Sequence, residues 1–347
     1  MYEKLRVENF KSLKQIEIDN LSNINLFFGK NNCGKTTLLE SIFLLSGTTN
    51  PDLFKRINLF RNYKYIKDFS YFYNNFKTGE PILLNANGEK SFENRESKIQ
   101  FSERPGKKLI KSDNDFAYSV NNGSFIDSLD INSKINGENV NSRIVLKHLK
   151  AGETLELSLP SAYKELVYCN YLPANYSFET IPSMVEKIIQ NKEESQIVDA
   201  LQQIDPRIKN FVYFEKQVMV DVGLEKRVPI NMLGDGVRKF FSLIVAILDS
   251  SNGVLLVDEI DNGLHFSSMK MLWKIIIQLS LQFNVQLFAT SHNIDSLKGL
   301  ANNLNDSDYK NNISAYKIVR KNNDETYSLY YNADNFSSVL NEENEIR

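Results

Sequence analysis

Hydrophobic and polar positions follow different rules in different parts of this chain. In "KLRVENFKSLKQIEIDN", Leu5 and Val7 and then Ile16 and Ile18 alternate with polar residues, which predicts half-buried strands. Ile24–Phe28 is almost uninterrupted and predicts a buried strand, and the run from about Thr37 to Leu45 predicts a helix soon after it. From about residue 50 to 166 the text turns rich in Asn, Ser, Lys and Tyr. Its apolar residues shrink to alternating pieces such as "PILLNANG", "SKIQFSE" and "ETLELSLP", which predicts an inserted, mostly β region with long loops. "RPGKKLIK" (104–111) reads there as a solvated loop. "YKELVYCNYLP" reads as a strand returning to the core.

Beyond it, Met184, Ile188 and Ile189, then Ile197, Leu201 and Ile204, recur at helical spacing until Pro206 breaks the run. "NFVYFEKQVMVDVG" predicts a hairpin ending at Gly223. From Asn231 onward the chain reads helix, strand, helix, strand, with "VRKFFSLIVAILDSS" and "SSMKMLWKIIIQLSLQF" as helices and "GVLLVDE" and "VQLFATSH" as buried strands. Helices alternating with all-apolar strands imply a parallel sheet covered on both faces. The tail "SAYKIVRKNNDETYSLYYN" predicts a hairpin and then a short helix. No internal repeat and no sustained heptad run is visible. The organisation expected is an N-terminal lobe at 1–48, a variable β-rich insert at 49–165 and a C-terminal lobe at 166–347.

Composition narrows the partners more than the fold. The 347 residues carry a formal charge of −2, so there is no global basic field, and a nucleic-acid contact is left open only through a local patch. Cys33 and Cys169 form no disulfide framework. The start "MYEKLRVENFKSL" has no apolar signal core, and no apolar run approaches the roughly 18 residues of a membrane span. A soluble cytoplasmic protein without a membrane partner is expected.

The chemistry begins between the buried strand and the helix behind it. Gly29, Lys30, Asn31, Asn32, Cys33, Gly34, Lys35 and Thr36 match G-x-x-x-x-G-K-[ST] without a mismatch, and Thr37 follows. The two glycines let backbone N–H groups curl around phosphate oxygens. Lys35 can reach the β- and γ-phosphates, the Thr36 hydroxyl can ligate Mg²⁺, and the helix N-terminus favours the same anion. "VLLVDE" places Asp258 and Glu259 at the carboxyl end of a buried strand, where open α/β sheets bind ligands. Asp258 is the candidate second metal residue beside Thr36, acting through water, and Glu259 the candidate general base. ATP and Mg²⁺ are the cofactors this pairing requires. "LGDGVRK" (233–239), "IDNGLH" after Glu259, and "ATSHN", which leaves His292 near the γ-phosphate, complete the set.

Taken in this order and spacing, the five elements resemble the ABC-type ATPases, specifically the RecF/SMC-like branch and its OLD-like relatives grouped under AAA-type ATP-binding domains. "LRVENFKSL", "FFGKNNCGKTTLLESI", "DEIDNGLH" and "TSHN" carry the resemblance over about 1–48 and 165–347, and the final "EIR" is expected to mark the end of the module. It implies an α/β P-loop NTPase fold of ABC type, with a mixed or parallel central sheet flanked by helices, an N-terminal β-subdomain and a β-rich insert. Two such domains close head-to-tail around two ATPs in that family. Gly234, Asp235 and Gly236 would then contact the γ-phosphate held by a partner subunit, aided by Arg238, since Gly234 stands where such signatures usually carry serine. Asp261 would sit in the loop joining the two sites, His292 would sense its own γ-phosphate, and Lys11 and Ser12 would approach the nucleotide. The glutamine-bearing loop of the family has no clear counterpart; Asn175 in "YLPANYS" is its weak candidate.

The stretch "LFKRINLFRNYKYIKDFSYFYNNFK" (53–77) interleaves cations with aromatics. It could stack bases, but the favoured reading packs its aromatics onto the core with the cations outward. The N-terminus and "DEIDNGLH" argue against a transport subunit, and the missing heptads argue against a long coiled-coil ATPase. About fifty-five residues after His292 carry no spaced carboxylate cluster, against an in-chain nuclease. The leading expectation is a standalone ATPase that forms homo-oligomers and acts as the sensor or regulatory subunit of a bacterial anti-phage system, with a separately encoded nuclease or toxin as effector. The competing expectations are a RecF-like DNA-binding ATPase of repair or recombination, and a switch that binds ATP without hydrolysing it; Glu259 argues against the last.

Overall fold

A computed structural model describes residues 1–63, 65–88, 94–112, 115–149, 152–160, 165, 167–175, 181–215, 217–304, 307–321 and 325–341, with backbone alone for 104–125, 148–149, 152–153, 307–308, 338–339 and 341. The closing "EIR" lies outside the described residues. The chain opens with strands β1 (Tyr2–Phe10), β2 (Leu13–Ile18) and β3 (Ile24–Phe28), then helices α1 (Lys35–Ser46) and α2 (Leu53–Phe60). A run of strands follows: β4 (Ile82–Gly88), β5 (Arg95–Ser112), β6 (Asp115–Ile135), β7 (Glu138–Leu149), β8 (Gly152–Ser158) and β9 (Cys169–Leu172). Helices α3 (Ile181–Asn191) and α4 (Glu194–Gln202) lead to β10 (Asn210–Phe214), β11 (Gln217–Asp221) and β12 (Val228–Pro229). The last part comprises α5 (Asp235–Asp249), β13 (Val254–Val257), α6 (Met269–Gln282), β14 (Gln286–Ser291), α7 (Ile294–Ala301), α8 (Ser307–Lys310), β15 (Ile313–Arg320), β16 (Thr326–Tyr331) and α9 (Ala333–Asn341).

The central sheet runs β16-β15-β3-β14-β13-β9, parallel throughout except for β16, which closes the edge as the second arm of a hairpin. Its three central strands, β3, β14 and β13, are buried at every position because both faces are covered. Leu26, Phe28, Leu255, Val257, Leu287 and Ala289 enter a core shared with α5, α6, α7 and α9. Their neighbours Phe27, Val254, Leu256 and Phe288 point the other way, into a core shared with α1 and the second sheet. That second sheet, β2-β1-β4-β5-β6-β7-β8, is antiparallel throughout. The strands between 82 and 158 thus extend the sheet begun by β1 and β2. Gln286, fully buried in β14, ties the two sheets together: its amide donates to the Tyr2 carbonyl at 2.7 Å and accepts from the Tyr2 N–H at 2.8 Å.

Three local expectations change. Residues 104–111 lie in β5, paired with β6 with a register shift between Pro105 and Lys107, where a solvated loop was expected. The helical run after Met184 divides into α3 and α4, because Lys192 takes a left-handed φ of 61° between them. The basic–aromatic stretch divides its aromatics: Phe54, Phe69, Phe72 and Tyr73 are buried, whereas Tyr63, Tyr65, Tyr71 and Phe76 are exposed. No described helix is long and apolar enough to cross a membrane.

Candidate functional site

Three neighbouring parallel strands, β3, β14 and β13, end at one edge of the central sheet and deliver the phosphate loop, His292 and the two acids to the same place. The loop after β3 turns sharply because two glycines permit it. Gly29 has φ 143° and lies so close to β15 that a Cβ would stand 2.5 Å from the Ile318 carbonyl oxygen. Gly34, at φ 101°, caps α1 and packs on Leu13 of the β1–β2 turn, 2.7 Å from where its Cβ would be. Lys35 is buried, and its ammonium donates to the carbonyls of Gly29 and Lys30, both at 2.9 Å. The arched loop, the ammonium and the N-terminal end of α1 together form an anion cradle. Cys33 lies buried beneath it, and burial pushes its thiol pKa up against the opposing pull of Lys35.

On the acid side, the Thr36 hydroxyl donates to Asp258 at 2.9 Å. Asp258 also receives the buried Thr290 hydroxyl at 2.5 Å, and the Glu259 N–H donates to that same hydroxyl oxygen at 2.8 Å. Thr290 therefore fixes both acids. The motif "TSHN" points to His292 and leaves Thr290 unmarked, although a hydroxyl residue near the carboxyl end of a buried strand was the available signal. Glu259 adopts a left-handed φ of 48°, an uncommon conformation that turns the chain at the strand end. Its carboxylate stands 4.0 Å from His292 Nδ1, and both side chains are half exposed.

The β1–β2 turn forms a further wall. Ser12 Oγ meets Thr37 Oγ1 at 2.9 Å. Lys11 reaches Glu40 of α1 at 3.0 Å, and the fully buried Glu40 carboxylate also takes two hydrogen bonds from Arg61, at 2.6 and 3.0 Å. Burial lowers the Lys11 pKa despite Glu40. For Arg61 burial is again the largest single influence and pulls the same way, but the hydrogen bonds to Glu40 and the charge of Glu40, with Tyr171 and Asp258, together outweigh it and the pKa rises. Arg61 and Arg320, whose Nη1 lies 3.5 Å from the Asn32 carbonyl oxygen, enter the site from segments that carry no motif. These walls enclose a cleft of about 1190 Å³ containing Lys11, Ser12, the phosphate loop, Asp258, Glu259 and Thr290.

A second cleft, of about 780 Å³, lies on the other side of the loop, between Gly29–Asn31, Asp261–Leu264 and His292–Lys298. Asp261 is buried there, and its Oδ1 has no hydrogen-bond partner. Gly234, Asp235, Gly236 and Arg238 line neither cleft. Gly234, at φ 93°, starts α5, and Asp235 and Arg238 pair with each other at 2.8 Å. One turn further, Lys239 is buried and feels Asp261, Glu259 and Asp258; it is a cation of the site that the motifs did not single out. Asn175 is exposed and lines neither cleft.

The donor set suits a hard divalent cation such as Mg²⁺. A hydroxyl and a carboxylate face each other across 2.9 Å at the mouth of an anion cradle. Among the described residues no group of three or more His, Cys, Asp or Glu side chains forms a metal cage. Thr36 and Asp258 are the residues that would hold such an ion, Mg²⁺ being one that usually keeps several waters and binds substrate phosphates. When bound, it would supply charge neutralisation to the phosphates.

Comparison with known proteins agrees with this geometry. A family model described as "AAA domain, putative AbiEii toxin, Type IV TA system" matches residues 87–297, and one described as "AAA ATPase domain" matches residues 1–170. The chain is similar to an "ATP/GTP phosphatase" of Helicobacter pylori, 24% identical over 374 aligned positions that span 99% of each protein. A shorter similarity, 50% identity over 44 residues, covers 13% of this chain and 12% of the DNA replication and repair protein RecF of Lactobacillus acidophilus. Among solved structures, an Smc head domain with an extended coiled coil, bound to the C-terminal domain of ScpA from Pyrococcus furiosus, superposes with a TM-score of 0.50 at 10% identity, over 99% of both chains. That likeness is one of fold.

Proposed function

The chain belongs to this AAA-domain family and is an ATPase with the ABC-type fold of RecF and SMC heads, and on that premise we propose that it is an ATP-driven dimerisation switch. The observation that carries the proposal is the meeting of Thr36, Asp258, Glu259 and His292 beside the phosphate loop, at the ends of three adjacent strands. Lys35 and the loop N–H groups hold the β- and γ-phosphates, and Asp258 with Thr36 holds Mg²⁺. Glu259 takes a proton from the attacking water, with His292 beside it to read the γ-phosphate. Lys11 and Ser12 approach the nucleotide from the β1–β2 turn. Gly234–Gly236 and Arg238 lie outside the chain's own clefts, which supports their closing over the nucleotide of a second copy, with Asp261 at the seam. ATP then controls association of two chains, and the associated state is what a partner reads.

The setting that best fits is bacterial defence, as sensor or regulatory subunit beside a separately encoded nuclease or toxin. The family's description names a toxin–antitoxin system, which supports that setting. A RecF-like DNA clamp remains the second reading, favoured by the 44-residue similarity to RecF; duplex binding that weakens with salt and strengthens with ATP would move the assignment there.

The test uses the full chain with Mg²⁺ and ATP. Removing the general base with Glu259→Gln should slow turnover by about 10²–10⁴-fold. The same variant should retain ATP and show an ATP-dependent doubling of mass by light scattering. Wild-type turnover no faster than the variant's would sink the hydrolytic assignment, and a variant that stays monomeric with ATP would sink the dimer.

A further inference from the structure

One part of the lining of the 1190 Å³ cleft is aromatic and exposed. Tyr63, Tyr71 and Phe76 line it, and all three are exposed, Tyr71 by 52% and Phe76 by 63%. The segment 69–76 buries Phe69, Phe72 and Tyr73 almost completely, so burial was available to its aromatics, and Tyr71 and Phe76 were left out. Their rings form an edge-to-face pair, with centroids 5.8 Å apart and planes at 69°. The backbone that presents them is strained. Asn75 and Phe76, neither of them glycine, both take left-handed φ values, 48° and 58°, and such conformations persist only where the surroundings impose them.

Those surroundings are the β1–β2 turn that carries Lys11 and Ser12. The Lys11 N–H donates to the Phe72 carbonyl at 2.9 Å, and the Asn74 amide donates to the Lys11 carbonyl at 2.8 Å. Asn9 accepts from the Asn74 N–H at 3.2 Å and donates to the carbonyls of Lys77 and Glu80, at 3.1 and 2.8 Å. Phe10 and Tyr73 close an isolated β-bridge. The aromatic corner is thus fastened to the same turn that touches the phosphate loop through Ser12 and Thr37, and the two share one cleft.

We propose that Tyr71 and Phe76 form a stacking corner for the purine base of the nucleotide whose phosphates lie on the Gly29–Thr36 loop. A planar base laid on one ring meets the edge of the other, the geometry aromatic groups prefer. Stacking reads the face of the base and leaves its hydrogen-bonding edge free, so the corner selects for a base without dictating which purine. This assignment rests on the reading of the cleft as a nucleotide site and adds to it the residues that hold the base.

The experiment separates base from phosphates by titrating the full chain with MgATP and with Mg-tripolyphosphate, which lacks base and ribose. Tyr71→Ala/Phe76→Ala should weaken MgATP binding about tenfold or more while leaving tripolyphosphate within about twofold of wild type. The conservative pair Tyr71→Phe/Phe76→Tyr should bind both probes as wild type does, because it keeps both ring faces. Unchanged MgATP affinity in the alanine variant, or an equal loss for both probes, would overturn the corner. Wild-type protein that binds the two probes with equal affinity overturns the corner alone and leaves the phosphate site standing, whereas wild type that binds neither overturns both.

Discussion

Lys239 is a residue whose environment opposes its own charge. It is 8% exposed, and burial pushes its pKa down to about 8 even though Asp261, Glu259 and Asp258 pull the other way. The unfolded chain keeps the proton until about pH 10.4, so between those values it binds more protons than the folded chain, and stability rises with pH. Below pH 8 the cost is present in full, on the order of 3 kcal/mol at about 1.4 kcal/mol per pKa unit. Lys239→Met removes the titration while filling similar volume. Urea midpoints in a metal chelator should show wild type gaining on the variant as pH rises from about 8 towards 10.4; a constant difference between the two would refute the burial argument. In the dimer reading Lys239 also has a positional meaning, since it joins the helix that begins with Gly234 to the acids of its own chain.

At the scale of elements, the turn from β3 into α1 depends on Gly29. Its φ of 143° excludes most side chains, and a methyl group would press on a backbone oxygen of β15 that cannot swing aside. Gly29→Ala should therefore cost on the order of 1–3 kcal/mol of stability and weaken tripolyphosphate binding together, whereas Gly79→Ala, with nothing within 4 Å, serves as the neutral control. Equal urea midpoints for the two variants would show that the close approach to Ile318 relaxes without cost. Such element-level features were legible in the sequence, because the glycine spacing, the apolar run of β3 and the helix behind it are local patterns. The acids at the end of β13 were legible for the same reason. Strand partnership was not. β4 pairs with β1 across some seventy intervening residues, and alternation says which face a strand buries without naming its neighbour. Arg61 escaped for a related reason, since its partner Glu40 lies on the preceding helix and nothing local marks the pair. The aromatics of 53–77 could be read as core or as surface, and the fold uses them as both because the left-handed pair at Asn75 and Phe76 interrupts any single periodicity.

Across the whole molecule, α1 is the rod that joins phosphate loop to antiparallel sheet. Its N-terminal end faces the anion cradle, and its C-terminal carbonyls meet Arg95 of β5, a fully buried guanidinium. Arg95 Nη1 donates to the carbonyls of Leu45 and Ser46, at 2.9 and 3.0 Å, where a cation complements the helix dipole. It also lies 2.8 Å from Glu165 Oε2, an ion contact whose alignment falls short of a hydrogen bond. Glu165 turns its other oxygen to Thr49, accepting from the backbone N–H at 3.1 Å and the hydroxyl at 2.8 Å. Helix end, sheet and following segment thus share one charge pair. Arg95→Met strips the helix carbonyls and the acid of their cation together and should cost on the order of 3 kcal/mol. Glu165→Gln alone should cost less, because its side chain is 24% exposed and the amide can still serve Thr49. If the pair acts as one unit, the double variant should lose at least about 1 kcal/mol less than the two single losses added. Strict additivity of the three urea midpoints would mean that Arg95 stabilises the helix end alone and that the segment after α1 is held independently. Coupling would make the sheet and the phosphate loop two ends of one mechanical element, so that whatever grips the β-rich sheet would also pull on the helix that grips the nucleotide.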